Sequence, residues 1–233
     1  RGVTEMVTPG VATNEKLLEH NTNNFLAGIQ VTDEKFGLAL LDISTGEFFI
    51  AEGNQEYIDK LLQTLKPSEV IFQRSFHKFF KESFGDKFYT YHLESWIFEE
   101  GYATEILLKH FQTHSLKGFG IEDMHQGIIA AGAVLHYLKD TEHPNLQHIT
   151  SLQRINRDDY LWMDRFTIRN LELLSTGMGD GHTLHKVLDH TVSPMGGRML
   201  KRWIVLPLTD INKINERLNL VEYFIKETEL RTG

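Results

Sequence analysis

The sequence contains no cysteine among its 233 residues. Disulfides, thiolate metal sites and thiol nucleophiles are therefore excluded, and the composition agrees with a reducing compartment. Long apolar runs are also missing: no stretch of about eighteen apolar residues occurs, and no basic-then-apolar segment opens the chain. The sequence thus predicts neither a membrane span nor a secretory signal, and we expect a cytoplasmic protein that does not engage a membrane.

The phosphate-binding string G-x-x-x-x-G-K-[ST] is absent as well. The backbone amides of that loop cradle phosphates at the start of a helix, so we predict no P-loop nucleotide site, no catalytic residue and no cofactor-binding residue in this chain. A starting methionine is also missing, since the chain begins at Arg1. At the other end, residues 231–233 follow directly on a helical pattern. Both ends are expected to lie inside a longer protein.

Positive charge is scarce in the first two thirds of the chain. Residues 1–150 carry 12 Lys and Arg against 21 Asp and Glu, a net charge of −9, whereas residues 151–233 carry 12 against 11, a net charge of +1. Binding to duplex DNA needs a basic face that releases counterions, so the first part is a poor candidate for it. Solubility explains an acidic surface, and contact with other proteins is the alternative that the composition leaves open.

The composition itself is that of a globular protein, with 41% hydrophobic and 24% charged residues. Five β-rich runs lie at 25–31, 36–43, 47–53, 69–72 and 88–93. Turn-forming residues join the first three, which predicts an antiparallel meander. Asn54 is the expected N-cap of a helix that Pro67 ends, and a second helical stretch separates the last two runs. This order predicts an α/β domain with a mixed sheet covered by helices.

Helical patterns dominate the rest of the chain. Apolar spacing marks helices within 102–111 and 124–138, and the polar, proline-containing stretch 140–145 predicts a domain boundary. Beyond it the pattern is helical, and Asp210 is the expected N-cap of a long helix whose apolar face over residues 211–225 needs a partner. The second part is thus predicted to be all-α.

This second part also contains a long and specific string, in five segments: Arg169-Asn170-Leu171-Glu172-Leu173, Thr183-Leu184, Leu188-Asp189-His190-Thr191, Pro194-Met195-Gly196-Gly197-Arg198-Met199-Leu200-Lys201-Arg202-Trp203 and Pro207-Leu208. Upstream stand Val7-Thr8-Pro9-Gly10, Leu41-Asp42-Ile43-Ser44-Thr45-Gly46 and Gly118-Phe119-Gly120. The five segments resemble the start of the core domain of the MutS family of DNA mismatch repair proteins. The upstream segments resemble the family's exit from the mismatch-reading domain and its connector domain, in the expected order.

The resemblance implies three divisions: residues 1–13 as the exit segment, 14–148 as a connector domain of ribonuclease-H-like fold, and 149–233 as the first part of the helical core domain. It implies a parent protein that binds mismatched duplex DNA, uses ATP with Mg, and forms a homo-oligomer. The connector is expected to link the mismatch-reading and core domains, to transmit conformational signals and to dock a MutL-type protein. The chain itself is expected not to be an enzyme, whereas the parent is expected to be an ATPase.

A ribonuclease-H-like fold also admits a second function, that of a divergent metal-dependent nuclease. Such an enzyme clusters carboxylates around two Mg²⁺ ions, but the run at 25–31 carries no acid, and Asp42 alone cannot form the site. Asp42 is better interpreted as a turn residue beside Ser44 and Gly46. The nuclease stays the alternative, and we predict no metal site.

Other short motifs are interpreted as coincidences. A Phe-x-Glu string, which the family's mismatch reader uses as a wedge, occurs at Phe80 and Phe98, but both lie in helical patterns where phenylalanine belongs to the core. Four residues of zinc-ligating type lie close together at His182, His185, Asp189 and His190. Gly177, Gly179 and Gly181 mark a flexible loop before them, and the helix that His182 and Thr183 then begin aligns the other ligands only in part, which argues against a metal site.

The helix within 102–111 is the candidate partner-binding surface. Ile106, Leu107 and Leu108 are consecutive, so a single buried stripe cannot take all three, and one is expected to face outward among polar neighbours. The predicted partner-binding residues are Thr104, Glu105, Ile106 and Lys109. The alternative is that a neighbouring loop or the Trp96-Ile97 segment covers this spot.

Two expectations concern the second part. The basic residues Arg198, Lys201 and Arg202 lie in a helix with at least one buried face, so we expect weak DNA binding without preference for mismatches. Pro194 is expected to begin that helix, and Trp203 on its apolar side is expected to be largely buried.

Overall fold

The structure is a computed structural model that describes residues 8–11, 22–32, 35–141, 143, 146–174 and 181–227. Its contacts divide the chain into two units, Arg1–Ile155 with Val192–Arg198 and Asn156–Thr191 with Met199–Gly233. Of the expected exit segment at 1–13, only residues 8–11 fall within the described part. The sheet belongs to the first unit.

The first unit is built on a mixed sheet of six strands. The strands are β1 (Phe25–Val31), β2 (Phe36–Asp42), β3 (Glu47–Gly53), β4 (Glu69–Gln73), β5 (Tyr89–Leu93) and β6 (Gln153–Arg154). Their order across the sheet is β5-β4-β1-β2-β3-β6. β1, β2 and β3 form the predicted antiparallel meander, while β4, β5 and β6 each run parallel to a neighbour. The prediction of a mixed sheet is confirmed, and β6, which is only two residues long, was not predicted.

Eight α-helices are described: α1 (Gln55–Leu65), α2 (His77–Phe84), α3 (Glu100–Phe111), α4 (His125–Asp140), α5 (Arg165–Asn170), α6 (Leu184–Leu188), α7 (Pro194–Val205) and α8 (Ile211–Lys226). The predicted caps are confirmed, since the Asn54 side chain accepts the Tyr57 amide and the Asp210 side chain accepts the amides of Asn212 and Lys213. α7 begins at Pro194 as expected. Among the described residues, no helix combines the length and apolarity needed to cross a bilayer.

Both faces of the sheet are covered, so every residue of β1 and β2 is buried. One face packs against α4, whose small residues allow close approach: a Cβ added at Gly28 would lie 2.7 Å from the carbonyl oxygen of Ala130. Gly132 of α4 lets α3 approach equally closely, because its Cβ would lie 2.5 Å from the Cα of Ala103. The opposite face holds aromatic packing, with Phe72 stacked on Phe80 at 4.3 Å between ring centroids. Helices α3 and α4 and one face of the sheet therefore share a tightly packed core.

The second unit buries far less apolar surface. Helices α5, α6 and α8 contain no buried residue. Trp203, which was expected to be largely buried, is partly buried. The Arg217 guanidinium lies 4.2 Å from the centroid of its ring, which is a cation–π contact.

Candidate partner-binding surface

Helix α3 presents a polar outer edge and packs its inner side against α4. Glu105 and Lys109 are exposed and Thr104 is partly exposed, as predicted. Ile106, however, is only 4% exposed and belongs to the core beside Leu107, so it does not face outward. Leu108 is the apolar residue with partial exposure. Ala103, Ile106 and Leu107 are the buried residues of α3, and their i, i+3, i+4 spacing places them on one face of the helix.

The segment before α3 contributes the largest exposed apolar side chain of this region. Trp96 is 53% exposed, while the adjacent Ile97 is buried. The Trp96 ring rests edge-on against Tyr102 and His136, with ring centroids 5.1 Å and 5.2 Å away. Trp96 entered the sequence interpretation only as a possible cover for α3, because a tryptophan beside a buried Ile-Phe pair gives no signal of its own exposure.

Beneath Trp96, His136 contacts both Tyr102 and Asp140. The Tyr102 hydroxyl lies 2.6 Å from His136 Nδ1, and His136 Nε2 lies 3.1 Å from the Asp140 carboxylate. Burial raises the pKa of the Tyr102 hydroxyl, and the charges of Asp140 and Glu105 raise it further. Tyr102 therefore remains protonated, and its hydroxyl hydrogen-bonds His136 Nδ1.

We define the Trp96 surface as five residues: Trp96, Tyr102, Glu105, His136 and Asp140. The predicted partner-binding residue Glu105 follows Tyr102 by three residues on α3, so the two side chains are neighbours on the helix surface. The exposed indole ring thus packs on Tyr102 and His136, and each of these has a carboxylate close by, Glu105 on the same helix face as Tyr102 and Asp140 at 3.1 Å from His136. An aromatic centre with a polar rim is the usual anatomy of a protein interface, and tryptophan is the residue type most enriched at energetic hot spots.

Asp42, on which the nuclease alternative depends, forms hydrogen bonds that stabilise the fold. The buried Asp42 carboxylate accepts hydrogen bonds from Asn23 Nδ2 at 2.9 Å and from the Asn24 amide at 3.2 Å. It also accepts the amide and hydroxyl of Ser44 at 3.0 Å and 2.7 Å, which confirms its interpretation as a turn residue. Within the described ranges no group of three metal-ligating side chains comes together. The nuclease alternative therefore has no support.

The remaining short motifs are structural where they are described. Phe80 and Phe98 are buried in the first unit, which confirms the prediction that both belong to the core. In the second unit, His185 Nε2 lies 3.7 Å from the Asp189 carboxylate, which also accepts two hydrogen bonds from Thr191. Gly177 and Gly179 lie outside the described residues. The contacts of Asp189 are those of a local turn.

Comparison with known proteins gives consistent matches over most of the chain. The family model "MutS domain II" matches residues 24–150, and the family model "MutS domain III" matches residues 166–233. A protein of Flavobacterium johnsoniae named "DNA mismatch repair protein MutS" is 54% identical over 99% of this chain and 26% of its own length. Proteins of the same name from Cytophaga hutchinsonii and Bacteroides fragilis are 52% and 51% identical over 100% and 99% of the chain. The chain spans about a quarter of the length of these relatives.

Proposed function

The chain belongs to the MutS family of DNA mismatch repair proteins, and we propose that residues 14–148 act as the connector domain and residues 149–233 as the first part of the helical core domain. In this role the connector links the mismatch-reading and core domains, transmits conformational signals and docks a MutL-type protein. The meander β1-β2-β3, extended beyond β1 by the parallel strands β4 and β5, supports a ribonuclease-H-like assignment for the connector.

The observation that carries the docking role is the Trp96 surface. A side chain as large as Trp96 that stays 53% exposed on a rigid helical framework is unusual unless something covers it. The acidic side chains beside it favour a partner with a complementary positive charge. Glu105 joins this surface, and Thr104 and Lys109 of the same helix are proposed as its edge.

The activities of the whole protein follow from family membership and are likewise proposals. We propose that the parent binds ATP with Mg, hydrolyses ATP, recognises mismatched duplex DNA, forms a homo-oligomer and works in the cytoplasm. This chain has no P-loop string, so the ATP-binding residues belong to other parts of the parent.

A binding titration tests the docking role. The MutL-type protein of the same cell is titrated into the wild-type chain and into Trp96→Ala and Glu105→Arg, with folding checked by circular dichroism. We expect each variant to weaken binding at least tenfold, equivalent to about 1.4 kcal/mol, because one removes the aromatic anchor and the other reverses a rim charge.

Glu82→Arg is the matched control for Glu105→Arg. Glu82 is an exposed glutamate in α2, and the same charge reversal there is expected to leave the affinity unchanged. Equal binding by the wild type and both folded variants would place the docking surface elsewhere on the connector.

A further inference from the structure

Glu69, the first residue of β4, is a carboxylate with no exposed surface. Burying a charge is costly unless hydrogen bonds satisfy it. Three donors supply these hydrogen bonds. The Thr8 hydroxyl donates to Oε2, and the Gly10 amide donates to the same oxygen at 3.0 Å. The Tyr137 hydroxyl donates to Oε1 at 2.7 Å. Two of the three donors come from a chain segment 59 or more residues away in sequence.

That segment, Thr8 to Val11, is called the anchored segment. Two further side chains hold it, since Asn24 Nδ2 donates to the Pro9 carbonyl at 2.9 Å and His143 Nε2 lies 3.2 Å from the Val11 carbonyl oxygen. Val11 is fully buried in the core. At Gly10 an added Cβ would lie 2.7 Å from the Cβ of Glu69, so a larger residue would push the segment off the carboxylate.

Tyr137 connects this anchor to helix α4. Burial raises the pKa of the Tyr137 hydroxyl well above its ordinary value, so it stays a donor to Glu69. The next residue back along α4 is His136, which contacts Trp96 and hydrogen-bonds Tyr102 in the Trp96 surface. Tyr137 therefore hydrogen-bonds Thr8 of the anchored segment, and the preceding residue, His136, belongs to the Trp96 surface.

We infer that Glu69 and Tyr137 form a latch that couples the position of the anchored segment to the Trp96 surface through the last turn of α4. This inference rests on the proposed function, in which a displacement of the preceding chain reaches a docking surface. Pulling the segment away removes two donors from a buried carboxylate, which must then recruit water or a new partner. Because the core is closely packed, α4 adjusts at Tyr137, and His136 moves with it.

The test compares two tyrosines that are equally buried and lose the same atom. Tyr137→Phe removes the hydroxyl that binds Glu69, whereas Tyr57→Phe removes a hydroxyl that donates to the Ile155 carbonyl at 3.2 Å. Amide hydrogen exchange reports on Gly10 and Val11, and the indole NMR signal of Trp96, assigned with Trp96→Phe, reports on the surface. Both are measured on the chain alone.

We expect Tyr137→Phe to speed exchange at Gly10 about tenfold and to shift the Trp96 indole signal, because a typical buried hydrogen bond is lost. Tyr57→Phe is expected to change neither. Thr8→Val is the second variant, for use if Tyr137→Phe folds poorly. It removes another donor to the Glu69 carboxylate and is expected to give the same two changes.

An unchanged Trp96 signal with faster exchange at Gly10 would overturn the latch, as would equal responses to Tyr137→Phe and Tyr57→Phe. Because no partner is present, this outcome is separate from the docking titration. A coupled Trp96 signal with no partner binding would contradict the docking role and leave the latch standing.

Discussion

The two units of the chain differ in how far they bury a long helix. In the first unit, helix α4 is buried from Gly127 to Leu138, packed between the sheet and α3. In the second unit, α8 is equally long, yet its apolar residues are exposed, with Ile211 at 69%. The contrast shows that apolar spacing predicts where a helix forms, whereas its burial depends on which neighbours the chain supplies. Phe224, Leu218 and Leu220 of α8 are all exposed.

The largest expected effect tests this contrast with one residue type. Phe48→Ala empties a fully buried site in the first unit and is expected to lower the free energy of unfolding by about 3–5 kcal/mol. Phe224→Ala, at an exposed site on α8, is expected to stay within about 0.5 kcal/mol. Urea denaturation followed by circular dichroism measures both. Similar losses for the two variants would remove the difference between the units.

A second prediction concerns the buried carboxylate of the first unit. Glu69→Gln replaces one accepting oxygen by an amide group that faces other donors, and it is expected to cost about 1–3 kcal/mol in unfolding free energy. The exposed Glu82→Gln is the control, with an expected change within about 0.5 kcal/mol. If thermal and urea unfolding show no loss for Glu69→Gln, its hydrogen bonds do not stabilise the first unit.

The difference between local signals and long-range packing explains which parts of the fold could be predicted from the sequence. The meander was predicted correctly because β-rich runs and turn residues such as Gly46 are local signals. The strand β6 was missed because Gln153 and Arg154 have no pattern that distinguishes them from a loop. Their pairing with β3 is set by the fold and not by local propensity.

Residue burial at the candidate site also depended on distant contacts. Ile106 was expected to contribute to an exposed spot, but it is buried in α3, which packs against α4. Glu69 was predicted only as the start of a strand, since nothing near it in sequence reveals donors at Thr8 and Tyr137. Long-range packing of this kind leaves no mark in a single sequence.

A third, smaller effect tests the second unit. Trp203→Ala is expected to cost about 1 kcal/mol, because its ring is partly exposed and its described contact is the Arg217 guanidinium. A double-mutant cycle with Arg217→Ala is expected to give a coupling of about 0.5–1 kcal/mol. A loss of 3 kcal/mol or more for Trp203→Ala alone would mean that the second unit is as well packed as the first.

The smallest effect lies on the surface of the first unit. The hydrogen bond between His125 Nδ1 and the Glu100 carboxylate, 2.6 Å long, raises the pKa of His125. The raised folded-state pKa means that this contribution to stability is fully present below the unfolded pKa of about 6.5 and is lost as the pH rises through the folded value. We expect the free energy of unfolding, measured by urea denaturation, to decline slightly as the pH rises through this range. The substitution His125→Gln is expected to abolish the decline. A decline that persists in His125→Gln would assign it to another group.

We propose that this chain contacts protein and does not read mismatches. The direct measurement is the fluorescence anisotropy of the labelled chain at physiological salt, titrated in parallel with the MutL-type protein, a mismatched duplex and the corresponding paired duplex. We predict saturable binding to the MutL-type protein, and weak binding to both duplexes with less than a tenfold difference, about 1.4 kcal/mol, between them. A preference of tenfold or more for the mismatched duplex, together with no binding to the MutL-type protein, would contradict the claim.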